Sequence, residues 1–226
     1  MTGPVNVLTL LGPWPLWLLF FGLALFIFRL ETTQVRRLMA EYGHQGVVSP
    51  DMPDVKRHVW GHAAALSVIL MLSSVNKPFE LMTSGVFVLF IFRMSLIDAL
   101  TGWLPREFTW PFLLAGLGVA TADHTFFAHV TQTLILLVAG WLVRAISGHF
   151  SKHETLSIGD AWLAAGLGAW FGLPVSLFSL MGGLAGFTLW HAGSRNAHVG
   201  GPLGPWLGYS ALLTLALNVS EPLLMW

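Results

Sequence analysis

Cysteine is absent from all 226 residues. That excludes disulfides, thiolate metal sites and a cysteine nucleophile. Charge is scarce. Only 10% of residues are charged, against 55% hydrophobic and a mean hydropathy of +0.70. Soluble domains carry about 25% charged residues, so this composition predicts a polytopic membrane protein. An excess of either sign is also missing. Eleven basic and eleven acidic residues cancel, and the pI is near 7.1. Nucleic acid, or any partner recognised by bulk charge, is therefore not expected. No basic residue precedes Arg29. The charged start of a signal peptide is lacking, and the first apolar run reads as a retained span.

What is present is a series of apolar runs long enough to cross a bilayer, which takes about 20 residues. The first extends from about Leu8 to Leu30, with Pro13, Trp14, Pro15 and Trp17 at its start like an interfacial belt. The longest polar stretch, Glu31 to Arg57, follows. It reads as a short amphipathic helix to about Tyr42, then a loop through Ser49-Pro50-Asp51-Met52-Pro53-Asp54. Further spans are expected at about His58–Ser74, Phe79–Ile97, Phe108–Ala122, Phe126–Ile146, Ile158–Gly172, Val175–His191 and Leu203–Leu224. The fold class is thus all-α, with about eight transmembrane helices. Residues 1–57 form the first helix and a cytoplasmic loop, and residues 58–226 form a helical core.

Eight alternating spans put Arg29, Arg36, Arg37, Lys56, Arg57, Arg93, Arg106, Arg144, Lys152 and Arg195 on one side, and only Lys77 on the other. Cytoplasmic loops are enriched in Lys and Arg. The basic side is therefore the cytoplasm, and both termini lie outside.

Two acids stand out. Asp98 closes the third span in Ile97-Asp98-Ala99-Leu100-Thr101-Gly102-Trp103-Leu104-Pro105. Asp160 opens the sixth in Ser157-Ile158-Gly159-Asp160. A carboxylate at the end of an apolar run is costly in lipid and marks a candidate functional site. The topology puts both at the cytoplasmic edge at similar depth, so they can meet. An aspartic protease needs such a pair, one ionised and one protonated. Either acid could instead cap a helix, as could Ser157. Gly168 and Gly172, and Gly182 and Gly186, have the small-xxx-small spacing of close helix packing.

Other polar groups read more simply. His58 and His62, and His149 and His153, are four apart but lack an obvious third metal ligand. They read as interfacial residues, and no metal is expected. Glu107 and Glu154 read as solvated loop acids. Glu80, Asp123 and Glu221 fall on the outer side and read as exposed.

The motifs together resemble the type IV prepilin peptidases. Asp98, then Leu104-Pro105 and Phe108-Thr109-Trp110-Pro111, is similar to that family's first aspartate motif. Ile158-Gly159-Asp160, then Leu163-Ala164-Ala165 and Gly168-Ala169-Trp170-Phe171-Gly172, resembles its glycine–any–glycine–aspartate motif. Pro202-Leu203-Gly204-Pro205-Trp206-Leu207-Gly208 resembles the proline–phenylalanine–glycine–proline motif opening the last span. The similarity runs from about Leu81 to Leu217.

The resemblance implies an aspartic endopeptidase of the bacterial inner membrane, removing the basic leader of prepilin-like substrates at the cytoplasmic face. Asp98 and Asp160 would be the catalytic pair. Ser157, Gly159 and Pro105 would shape the site, with Gly159 leaving room for a substrate backbone. The partners implied are prepilin-like proteins and the lipid bilayer. No cofactor is expected.

Ser157 stands where the family motif has its first glycine, and Arg106 where an Asp or Asn is usual. The zinc-binding cysteine pairs of the larger members, which also N-methylate their product, have no counterpart here. Peptidase activity without methyl transfer is expected. Two alternatives stay open: a proton-coupled transporter relaying through Asp98 and Asp160, and an inactive homologue acting in pilus assembly.

Overall fold

The computed structural model describes residues 14–44, 49–73, 78–122, 124–150, 156–193 and 201–224. Among them are eight helices and no strand. They are α1 (Trp14–Glu41), α2 (Pro53–Ser73), α3 (Pro78–Thr101), α4 (Arg106–Ala122), α5 (Phe126–Phe150), α6 (Ile158–Phe171), α7 (Leu173–Gly193) and α8 (Gly204–Leu224). Four of these, α1, α3, α5 and α7, are long and apolar enough to cross a membrane.

The first polar stretch departs from expectation. Glu31 to Glu41 is not a separate helix but the continuation of α1. Ala24, Phe28, Thr32, Val35 and Met39 recur at three- and four-residue steps and are all buried. One helical face therefore runs unbroken through the supposed boundary. The helix stops where Gly43 takes φ 82°, with His44 N–H on Met39 O at 2.8 Å and Gly43 N–H on Ala40 O at 3.2 Å. That is the paired closure of a Schellman motif. The loop is also shorter than expected. Pro53 is the first residue of α2, where a missing N–H costs nothing. Leu8, Lys77, Asp123, Lys152, His153, Glu154 and Arg195 lie outside the described residues.

Consecutive helices run back and forth, so alternate ends gather. A cavity of about 420 Å³ brings together Arg57 of α2, Ala99 of α3, Trp190 of α7 and Pro205 of α8. Another, of about 480 Å³, joins Trp103, Arg106, Arg144 and Ser157. Tyr42 beyond α1 packs against Trp103, ring centroids 5.6 Å apart. The opposite end is marked by Glu80, Val119, Phe171 and Asn218 around a third cavity. Arg57, Arg106 and Arg144 line the first two of these cavities.

Helix α6 is the centre of its neighbourhood, packed by α4, α5 and α7. Its small residues make this possible. A Cβ on Gly166 would lie 2.5 Å from Phe112, and one on Gly168 would lie 2.7 Å from Leu136. Gly182 and Gly186 face Ser210 and Trp206 of α8. Both glycine stripes are therefore helix-packing surfaces. Between α6 and α7 the chain turns at Gly172, φ 75°. Gln132 of α5 accepts the Leu173 N–H at 2.9 Å, and His129 donates to Ala169 O at 2.8 Å, so α5 satisfies backbone groups that the break leaves free.

The outer surface of α5 and α7 is apolar. Leu134, Val138, Leu142 and Ile146 are about half exposed, and Phe178 and Leu189 are 73% exposed. Contiguous apolar surface of this extent belongs in lipid, not water.

Candidate active site

Asp98 sits in the last turn of α3. The helix ends there because Gly102, at φ 64°, closes its N–H onto the Asp98 carbonyl at 2.8 Å. The Asp98 side chain is 4% exposed. Its Oδ2 accepts the N–H of Gly204, the first residue of α8, at 2.7 Å. That N–H has no partner within α8, so a carboxylate from across the bundle takes the place of a cap. Gly204 has no room for a side chain. A Cβ there would meet Asp98 Oδ2 at 2.7 Å.

Asp160 is held differently, by its own helix. Ser157 is the N-cap of α6, and Asp160 is the third helical residue. The two form a reciprocal capping box. Asp160 N–H donates to Ser157 Oγ at 3.1 Å. Ser157 N–H and Ser157 Oγ–H both donate to Asp160 Oδ2, at 3.2 and 2.8 Å. Asp160 is 7% exposed, and its Oδ1 has no hydrogen-bond partner among the described residues. Leu104, in the loop that follows Asp98 and α3, packs on Gly159, the residue before Asp160. That contact sets the loop after α3 on the first turn of α6.

Pro105 and Ser157 line the 480 Å³ cavity with Gly159, Trp103, Arg106 and Arg144. Pro105 is buried and its carbonyl accepts Phe108 N–H at 3.2 Å, starting α4. The space beside Gly159 is already occupied. A Cβ there would lie 2.5 Å from Leu104 O and 2.7 Å from Leu104 Cβ. The glycine makes room for the α3–α4 loop, which rests on the first turn of α6.

The remaining candidates sort as follows. His62 Nδ1 donates to His58 O at 2.8 Å, and His58 Nδ1 is 2.9 Å from Tyr209 Oη. Rings of Phe28 and Phe92 enclose His62. No group of three His, Cys, Asp or Glu among the described residues could hold a metal. Glu107 and His149 are exposed, and Glu80 is exposed at the far end.

Two arrangements were missed in the sequence. The first is the Gly204 N–H. Pro205 marks a helix start, so an orphan donor just before it was legible, but its acceptor lies 106 positions away. The second is an ion pair within the bundle. Arg93 of α3 donates to Glu31 Oε2 through Nε at 3.1 Å and Nη2 at 2.5 Å, and Nη2 also reaches Gln34 at 3.1 Å. Opposite charges on two apolar spans are the signal for such a pair.

The fold and site define an all-helical membrane protein with two buried carboxylates at helix ends joined by the Leu104–Gly159 contact. Residues 85–191 match the type IV leader peptidase family. It is 37% identical over 149 residues to a prepilin leader peptidase/N-methyltransferase of Dickeya chrysanthemi, covering 62% of this chain and 50% of that protein. A type 4 prepilin-like proteins leader peptide-processing enzyme of Escherichia coli O78:H11 (strain H10407 / ETEC) is 30% identical over 161 residues, 67% of this chain and 58% of that one. A prepilin leader peptidase/N-methyltransferase of Escherichia coli strain K12 is 26% identical over 175 residues, 71% and 76% of the two chains. The chain spans about half the length of the first of these. No solved structure matches it.

Proposed function

We propose that this protein is an aspartic endopeptidase that removes the leader of prepilin-like substrates at the cytoplasmic face of the bacterial inner membrane. In this reading all eight helices cross the bilayer, both termini lie outside, and residues 58–226 hold the peptidase core. What supports it is two buried carboxylates, Asp98 and Asp160, on helix ends joined by the Leu104–Gly159 contact, in a chain that matches this family over residues 85–191.

The chemistry follows from the pair. One ionised carboxylate takes a proton from water as the water oxygen attacks the scissile carbonyl. The other, protonated, donates to the carbonyl oxygen where negative charge develops. In the same reading, the cysteine pairs that the resemblance ties to methyl transfer have no counterpart in this sequence, and cleavage without methylation is expected.

The test co-expresses a prepilin with the wild type, Asp98→Ala or Asp160→Ala and follows leader removal on a gel. Wild type processes the substrate, and each variant leaves it intact. Processing by either variant overturns the reading. An N-methyl group that this protein alone adds to the mature product, seen by mass spectrometry, overturns the second part.

A further inference from the structure

The two carboxylates differ in the donors they receive. Asp160 Oδ2 accepts two, the Ser157 N–H and the Ser157 Oγ–H. The hydroxyl proton is free for this because Oγ itself accepts the Asp160 N–H. Asp98 Oδ2 accepts one, the Gly204 N–H. Both acids face a helix N-terminus, α6 for Asp160 and α8 for Asp98, but Asp98 also sits in the last turn of α3, whose dipole disfavours its charge.

A proton on Asp160 Oδ2 would displace a donor. A proton on its Oδ1 would find no acceptor among the described residues. Neutral Asp160 therefore loses a charge-assisted hydrogen bond and gains nothing. Neutral Asp98 weakens one such bond, from the Gly204 N–H, where neutral Asp160 weakens two.

The charged neighbours agree. Around Ser157 they are Arg106 and Glu107 of α4 and Arg144 of α5, with Asp98 across the Leu104–Gly159 contact. Arg144 Nη1 donates to Leu156 O at 2.9 Å, which sets a cation beside the first turn of α6. On the Asp98 side, Asp54 and Arg57 of α2 pair with each other at 3.3 Å, and His58, His191 and Tyr209 complete the titratable groups of that cavity.

We propose that Asp160 is the ionised member of the pair and acts as general base through Oδ1, that Asp98 carries the proton, and that Ser157 is the positioning residue that sets this order. The inference rests on the peptidase reading above. Water gives a proton to Asp160 Oδ1 as its oxygen bonds to the carbonyl carbon. The carbonyl oxygen takes the proton from Asp98, leaving a tetrahedral diol. When the C–N bond breaks, the amine nitrogen takes the proton from Asp160, and one diol hydroxyl returns its proton to Asp98. Both acids end as they began.

The test measures kcat and KM against pH for prepilin cleavage by the wild type, Ser157→Gly and Ser157→Thr in detergent. Glycine caps a helix nearly as well as serine but donates no O–H. Its kcat profile moves on the acidic limb, toward higher pH by about one unit, which is tenfold in rate on that limb. The alkaline limb and KM stay with the wild type, and the threonine profile superimposes on it. Ser157→Ala gives the glycine result and stands in should the glycine variant melt early. Movement of the alkaline limb instead reverses the roles. Superimposed profiles make Ser157 a cap only, and a threonine profile shifted like the glycine one removes the hydroxyl as the cause. Each of these overturns the inference alone. A wild type that cleaves nothing overturns the peptidase reading and this inference with it.

Discussion

Replacing Gly159 by alanine tests how the acid pair is held. The added Cβ would lie 2.5 Å from the Leu104 carbonyl oxygen, 2.7 Å from Leu104 Cβ and 3.2 Å from Leu104 C. The nearest atom belongs to the backbone and cannot rotate aside. Reaching the 3.4 Å of ordinary contact takes about 0.9 Å of separation between loop 102–105 and α6. Overpacking of this kind costs about 1–3 kcal/mol. The displaced residue is the one before Asp160, so the carboxylate moves with it. A misplacement of about 1 Å at a reacting group costs roughly a hundredfold in rate.

The assay is steady-state cleavage of a prepilin by purified Gly159→Ala in detergent, with a thermal melt alongside. The expected outcome is a lowered melting temperature and a kcat down about a hundredfold, with KM close to wild type. The alternative, that Gly159 leaves space for substrate, makes a different forecast. Alanine would then raise KM and leave kcat and the melt intact. That result, or wild-type behaviour throughout, would refute the packing argument.

Two further changes probe the frame around the site. Arg93→Leu leaves Glu31, whose side chain is 16% exposed, without its cation. The expected loss is about 1–3 kcal/mol by thermal unfolding, below the figure for full burial, and Glu31→Leu in the same chain recovers most of it. Gly208→Ala puts a Cβ onto Ser95 Oγ and 3.1 Å from Ile91 Cγ2, pushing α8 off α3. Gly204 is one turn away and bonds Asp98, so cleavage falls together with stability. Ser95→Ala in the same chain relieves the contact and restores part of both.

Helix positions were legible because apolar length and turn residues are local signals. Expected boundaries at Ile158, Gly172, Val175 and Leu203 fall within a residue or two of observed ones. The error at Glu31 has a physical origin. Its charge was read as the end of the first span and the start of a separate amphipathic helix, yet the charge is neutralised by Arg93, 62 residues away, and α1 continues. A single-segment reading cannot see a partner on another helix. The Ser157 capping box was within reach, since both members lie on one turn. The Gly204 bond to Asp98 was not, because it depends on how α8 packs on α3.

That packing explains why so little separates a competent pair from two stray acids. Asp98 belongs with α1, α2, α3 and α8, and Asp160 with α4, α5 and α6. The helices carrying them meet mainly through others. α3 packs on α8 and α6 on α4, while α6–α8 contact is slight. Each acid is fixed within its own group, by Gly204 on one side and Ser157 on the other. The separation between the acids is then set by what joins the groups. One join is loop 102–105, where Leu104 seats on Gly159. A change there moves one carboxylate relative to the other without disturbing either local set of hydrogen bonds. Activity is therefore more sensitive than stability to substitutions at this join. Changes inside either group, such as Arg93→Leu, act on stability first.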